Sequence, residues 1–314
     1  MSTPATRTPI SRRALLGGAA ALTVTVGGGA AWAADRFLIP HVEATVAPTA
    51  SSGAASSSTQ TISNATLTSD SYIRDGLELR ITKHTSGSGT DALAWFVADV
   101  TVTDATTIQT AFANDQVGTN IIATTSAIAS AHGMAFAING DYYGFRDTGI
   151  VVRNGVAYRD KGARQGLALY TNGTMALYDE TTTTAQALVD KGVWQTWSFG
   201  PGIVDAGSVV AGIDSVEIDT NVGNHSIQGN QPRTGVGVIA PNHFLFVVVD
   251  GRSSGYSRGM TMTEFANLFV SLGAQTAYNL DGGGSSEMWF NGQLVSNPLG
   301  KGQERGTSDI ICIA

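Results

Sequence analysis

Asp281 is followed by three glycines and two serines, Asp281-Gly282-Gly283-Gly284-Ser285-Ser286. Consecutive glycines let backbone adopt positive φ and let a ligand come close to it. Their N–H groups can form a concave anion nest, here beside an acid and two hydroxyls. An exposed turn has the same composition. Leu280 on one side and the strand-like Met288-Trp289-Phe290 on the other frame the loop rigidly and favour the site.

A second acid, Asp250, closes a nearly unbroken apolar run from His243 to Val249, as expected of a strand covered on both faces. After it, Thr261-Met262-Thr263-Glu264 has capping-box spacing. Phe265, Leu268, Phe269 and Leu272 fall on one helical face, and Gly273 suits the left-handed position that ends a helix. A short strand, Thr276 to Leu280, then leads to Asp281. A crossover helix returns the chain parallel to the first strand. Asp250 and Asp281 are thus expected at the carboxyl ends of two parallel strands; if these are neighbours about 4.8 Å apart, both carboxylates face one crevice, where such sheets bind ligands.

Other residues join these two. Gln231-Pro232-Arg233-Thr234 enters a Val/Gly strand, and an Arg-Thr pair there can hold phosphate or carboxylate. Arg252 reads as a cation near the crevice or as a solvated surface residue. Asn139-Gly140-Asp141-Tyr142-Tyr143 ends an apolar run; its two Tyr suit the stacked face of a sugar or, equally, pack on the core. Glu264 is accounted for by its cap, and Glu287 alternates with its strand neighbours as a solvent-side charge. Gly251 to Gly255 matches G-x-S-x-G, but all five His precede Ser253, which excludes a hydrolase of that order. No HExxH, P-loop, EF-hand or His-carboxylate ligand set occurs. No metal is assigned and no cofactor is required; Ca²⁺ held by Asp and backbone carbonyls stays open.

Composition sets the frame. In 314 residues, 42% are hydrophobic, enough for a real core. The formal charge of −7 disfavours a reader of phosphate backbones, so no nucleic-acid partner is expected, and no protein partner either. One cysteine, Cys312, rules out a disulfide framework and reads as a buried strand thiol. Residues 1–33 resemble a twin-arginine export signal: Arg12-Arg13, an apolar Ala/Gly/Leu/Val run, and a small-x-small site at Ala31-Trp32-Ala33. Cleavage there, or retention as a tether, places the protein outside the cytoplasmic membrane. Residues 34–61 form an Ala/Ser/Thr-rich linker and 62–314 a single domain. Asn154-Gly155, Asn172-Gly173 and Asn291-Gly292 each predict a hairpin. The fold class is α+β, with a mixed, largely antiparallel sheet, several hairpins and a few packed helices.

Taken in order, Asn139-Gly140-Asp141-Tyr142-Tyr143, Phe199-Gly200-Pro201, Arg233-Thr234, Asp250-Gly251-Arg252, Gly259-Met260-Thr261 and Asn279-Leu280-Asp281-Gly282-Gly283-Gly284-Ser285 resemble the phosphodiester glycosidases, over residues 136–313. The resemblance implies an enzyme that hydrolyses a sugar-1-phosphodiester, such as an N-acetylglucosamine-1-phosphodiester, releasing the sugar and leaving a phosphomonoester. For an exported chain the substrate would be an envelope or extracellular polysaccharide. By motif match it carries over Asn139, Arg233, Thr234, Asp250, Asp281, Gly282, Gly283, Gly284, Ser285 and Arg305. Family members often have Gly at Asp141 and another aromatic pair at Tyr142-Tyr143, which bears on sugar specificity. Glycoside cleavage normally uses two carboxyl groups; Asp250 and Asp281 would supply them, with Arg233, Arg252 and Arg305 neutralising the departing phosphate and the glycine nest binding its oxygens. The rivals are a phosphodiesterase that cuts P–O and a glycan-binding module without turnover.

Overall fold

In the computed structural model, residues 34–35, 38–46, 65–218 and 226–314 are described. The export signal expected at 1–33 lies outside them. Residues 42–314 form the main body; in the described residues before it, the Leu38 and Ile39 N–H groups both donate to the Ala34 carbonyl (2.8 and 3.0 Å).

The site depends on eight elements: β1 (Leu93–Val102), β2 (Phe136–Asn139), β3 (Arg233–Ala240), β4 (His243–Val249), helix α1 (Met262–Ser271), β5 (Thr276–Asn279), β6 (Met288–Phe290) and β7 (Asp309–Ile313). A nine-stranded sheet contains β5, β3, β4 and β1 side by side, and a five-stranded sheet contains β6, β2 and β7. Every pairing among these strands is antiparallel.

Alternation along β4 explains its unbroken apolar sequence. Phe244, Phe246 and Val248 enter the core between the two sheets with Phe136, Ile138, Phe290 and Ile311. Leu245, Val247 and Val249 face the other way, onto Phe265 and Phe269 of α1. On the far side of the five-stranded sheet, Ala137, Trp289, Ile310 and Cys312 pack with Ile128 of the helix Thr125–Ala131. The α1 cap forms as its sequence predicts: Thr261 Oγ1 accepts from Glu264 N–H, and the Glu264 carboxylate accepts from Thr261 N–H (2.8 Å). That carboxylate also pairs with Arg258 at 2.6 Å, which holds its pKa down to about 2.

The condition for a shared crevice, that the two strands be neighbours, is not met. β4 and β5 do run parallel, yet β3 lies between them and pairs with both in antiparallel sense. Asp250 and Asp281 therefore leave the sheet on one edge but two strand positions apart, roughly 10 Å. The reason is in β3 itself. A Cβ at Gly235 would come 2.8 Å from Phe265 and one at Gly237 2.9 Å from Phe269, so these glycines form the groove into which α1 packs.

Two of the three Asn-Gly turns have both central residues at positive φ: Asn154 (51°) with Gly155 (75°), and Asn291 (47°) with Gly292 (80°). Asn172-Gly173 differs. Only Gly173 is left-handed (82°), while the Asn172 side chain accepts from Thr174 N–H, giving a longer turn between Tyr170 and Thr174. The linker assigned to 34–61 also needs correction at its start. The strand His41–Thr45 begins within it, Glu43 lies 3.1 Å from Arg159, and Val46 N–H donates to the Asp115 carbonyl. Alternation in Val42-Glu43-Ala44-Thr45-Val46 turns Ala44 and Val46 onto Phe112 and Val117.

Candidate active site

A cavity of about 350 Å³ opens at the sheet edge where β3 begins and β5 ends. Arg146, Arg233, Arg252 and Arg305 line it, and among the described residues that line it Asp281 is the one carboxylate. Tyr142, Phe145, Phe199 and Ile227 form an apolar wall.

Asp281 is held by its neighbours in the chain. Its carbonyl accepts from Asn139 Nδ2 at 2.8 Å, and the preceding Leu280 N–H donates to the Thr234 carbonyl at 2.8 Å. Burial raises the pKa of its carboxyl, against the lowering influence of Arg305 and Arg146. Arg305 Nη2 is 3.7 Å from Asp281 Oδ2, and the same guanidinium donates to Ser285 Oγ through Nε (2.9 Å) and Nη2 (2.7 Å). Arg252 has a left-handed backbone (φ 55°), and its Nε and Nη2 donate to Gln231 Oε1. It stands against the glycine loop, 3.5 Å from where a Cβ of Gly283 would be. Arg233, only 3% exposed, donates to the Met260 and Gly229 carbonyls. Burial pushes its pKa down to about 10, still a cation at neutral pH. Arg146 Nη1 donates to the Ser198 carbonyl at 3.0 Å, and its guanidinium lies over the Tyr142 and Phe199 rings (5.1 and 5.3 Å). Among the described residues no carboxylate pairs with Arg252, whose guanidinium is held by Gln231, so this part of the cavity favours an anion.

Asn139 and Thr234 do not line the cavity. Thr234 Oγ1 donates to Asn139 Oδ1 at 2.7 Å, and both are fully buried. They form a clasp joining the two sheets beneath Asp281. Asp141 is also buried: it accepts from Tyr143 and Ser198 N–H (2.9 Å each) and pairs with Arg153 at 3.2 Å, which in turn pairs with Asp309 at 2.8 Å. The tyrosine pair divides. Tyr142 lines the cavity stacked on Phe145 (4.6 Å, 23°), whereas Tyr143 is core.

Asp250 is placed away from Asp281's cavity. It is 1% exposed, accepts from Tyr256 Oη (2.7 Å) and from Asn297 N–H (3.0 and 3.1 Å), and burial raises its pKa. The two carboxylates therefore do not share a crevice; Asp250 braces the turn that carries Arg252. In the glycine loop, Gly283 N–H donates to the Pro232 carbonyl (3.1 Å), so that donor is not part of an open nest. Gly282 and Gly283 line the cavity and Gly284 lies beside Arg305.

Two residues read otherwise from sequence, or passed over, prove to matter. Glu287 is not on the solvent side. It is fully buried, accepts from Arg305 N–H at 2.7 Å, and burial lifts its pKa to about 8. Its side chain turns inward, to the Arg305 backbone and Thr125, instead of outward. Arg146 carried no motif of its own; the signal available was a cation directly after the Tyr142-Tyr143-Gly144-Phe145 aromatic run. Among the described residues no cluster of His, Cys, Asp and Glu could hold a metal ion, and no helix is long and apolar enough to cross a membrane.

The phosphodiester glycosidase family model matches residues 132–314. A SPbeta prophage-derived protein, YomE of Bacillus subtilis, is 29% identical over 171 residues, covering 53% of this chain and 25% of YomE. The N-acetylglucosamine-1-phosphodiester alpha-N-acetylglucosaminidase of Bos taurus is 30% identical over 101 residues, 30% of this chain and 19% of that enzyme. The chain thus spans a quarter or less of the length of these relatives. In fold it is similar to the catalytic domain of the zebrafish N-acetylglucosamine-1-phosphodiester alpha-N-acetylglucosaminidase, with a TM-score of 0.59 at 21% identity over 76% of this chain and 83% of that one. A hypothetical protein from Synechocystis gives 0.51 at 15% identity, over 77% and 63%.

Proposed function

Since the chain belongs to the phosphodiester glycosidase family, we propose that its cavity hydrolyses a sugar-1-phosphodiester, breaking the bond between C1 and the bridging oxygen. The observation that carries this reading is a single carboxylate, Asp281, among four guanidiniums in the described lining. A phosphodiester has one negative charge. As C1–O breaks, the bond pair passes to the phosphate oxygen and the leaving phosphomonoester gains a second charge. Guanidiniums aimed there stabilise the transition state more than the ground state.

Such a leaving group departs without strong acid help, so one carboxyl can serve where glycoside hydrolysis otherwise uses two. Asp281 accepts the proton of a water attacking C1, or attacks C1 itself; inversion or retention at C1 in the first-formed sugar separates these. The water oxygen ends on the sugar. Tyr142, Phe145 and Phe199 in the cavity wall offer apolar surface to the pyranose ring. N-acetylglucosamine is the sugar to try first, because the bovine relative's name specifies it.

The test is hydrolysis of an N-acetylglucosamine-1-phosphodiester in ¹⁸O-water, with both products weighed. Label in the sugar is expected. Label in the phosphate would mean P–O cleavage, and tight binding of intact substrate without turnover would mean a glycan-binding module. We further infer an envelope or extracellular polysaccharide as substrate, on the strength of Arg12-Arg13 and Ala31-Trp32-Ala33. Secreted protein whose first residue is Ala34 is the expected outcome; accumulation of uncut protein in the cytoplasm would overturn it.

A further inference from the structure

We propose that Glu287 is a positioning residue: through the backbone of Arg305 it aims that guanidinium across Ser285 at the group bound beside Asp281. This role rests on the cavity being a phosphate-ester site, and three linked contacts set its geometry.

Glu287 Oε1 accepts from Arg305 N–H at 2.7 Å. Glu287's own N–H donates to Asn139 Oδ1 (3.2 Å), and its carbonyl accepts from Asn139 N–H (3.4 Å). Asn139 Nδ2 in turn holds the Asp281 carbonyl at 2.8 Å. One buried asparagine thereby fixes Asp281 directly and Arg305 through Glu287, which sets the separation of carboxylate and guanidinium. On the other side the Glu304 carboxylate accepts from Ser126 N–H at 2.8 Å, at the start of the helix Thr125–Ala131. The backbone at 304–305 is thus tied at two points.

Arg305 needs such ties because its side chain is 53% exposed. A long exposed side chain loses much rotamer freedom when it is held in one place, and binding that must first order it is weaker. A buried carboxyl is also costly unless it is hydrogen-bonded. Burial keeps Glu287 largely protonated at neutral pH, so it can accept from Arg305 without adding a negative charge that would repel phosphate.

The experiment uses the full chain with Glu287→Met, which removes the acceptor at similar size, and Glu287→Gln, which keeps an oxygen acceptor. Two readouts are taken: the ¹⁵N–¹H signal of Arg305 Nε, assigned by its loss in Arg305→Lys, and kcat/KM on an N-acetylglucosamine-1-phosphodiester. Glu287→Met is expected to shift or broaden the Nε signal and to lower kcat/KM by about tenfold, the effect of losing one hydrogen bond of ordinary strength. Glu287→Gln is expected to recover most of both. In an Arg305→Gln background, Glu287→Met should add no further loss. An unmoved Nε signal, or a full additional loss in that background, overturns the proposal. If Glu287→Met does not fold, Glu287→Ala removes the same acceptor with less bulk and is read the same way. Absence of turnover in the parent protein would defeat the glycosidase reading, while the Nε signal still decides the positioning role.

Discussion

Arg305 Nη2 stands 3.7 Å from Asp281 Oδ2, yet the two shortest donations of that guanidinium go to Ser285 Oγ and a third, at 3.4 Å, to the Gly282 carbonyl. The carboxylate and the cation are near enough to influence each other but not locked together. Asp281 Oδ2 makes no hydrogen bond of its own. A pair in this state can admit a substrate between its members, and the consequences can be measured.

Asp281→Asn is expected to lower kcat by about 10²–10⁴, the usual worth of a proton-transfer group. Affinity for N-acetylglucosamine 1-phosphate should hold or improve, because a negative charge facing the phosphate is removed. Burial raises the Asp281 pKa, and the working form is ionised. Activity should therefore fall as pH drops, with a midpoint above the ordinary value of about 3.9. Rates across pH 3–8 and calorimetric titration check this, and an unchanged kcat would remove Asp281 from the chemistry.

Asp250→Asn should behave differently. Asparagine can still accept from Asn297 N–H or Tyr256 Oη, so the loss in kcat/KM should be about tenfold and should appear also in Tyr256→Phe. A loss as deep as that of Asp281→Asn would return Asp250 to the reacting group.

Arg252 is exposed, and among the described residues its side chain hydrogen-bonds only to a neutral glutamine, Gln231. Arg252→Gln should raise KM for the phosphodiester by about 10- to 100-fold, as for loss of a hydrogen bond to a charged group. The melting temperature should barely move. Added salt should weaken substrate binding in the parent more than in the variant.

Glu287 makes stability depend on pH. Its pKa rises from an ordinary 4.5 to about 8 on folding. The protonated form is favoured in the folded state, so its contribution is complete below about pH 4.5 and is lost as pH rises through 8. Urea denaturation of Glu287→Gln should give a flatter curve than the parent across that window. Parallel curves would show that Glu287 titrates normally.

Arg153 is fully buried between Asp141 and Asp309. Arg153→Met leaves two buried carboxylates without their cation and should cost about 3–5 kcal/mol. Chemical denaturation measures it, and a cost under about 1 kcal/mol would mean that the pair was solvated or protonated already.

The sequence made the α1 cap, the two-faced strand β4 and the glycine loop legible because each depends on near neighbours. Thr261 and Glu264 are three residues apart, and the packing of β4 is written in its own alternation. What could not be read was strand order. Nothing local says that β3 separates β4 from β5, and that single insertion moved Asp250 away from Asp281. Likewise, Asp141 and Asn139 look like site residues by type. Only long-range partners such as Arg153 and Thr234 show that they support the site from below. Glu287 was misread for the same reason, since its partner Arg305 is 18 residues further on.

The position of β2 has a consequence for how the protein is made. Its two neighbours are β6 and β7, and Glu287, which docks on Asn139, lies 148 residues later in the chain. A ribosome delivers residues in order, so β2 emerges long before either flank exists. Throughout that interval both of its edges are open to any other nascent strand, the condition under which chains join wrongly. The second edge of β2, the strand that carries Asn139, is covered only after Asp309–Ile313 has been added. Competence should therefore arise in one late step, and ribosome-stalled chains ending before residue 309 should remain sensitive to protease across Phe136–Asn139.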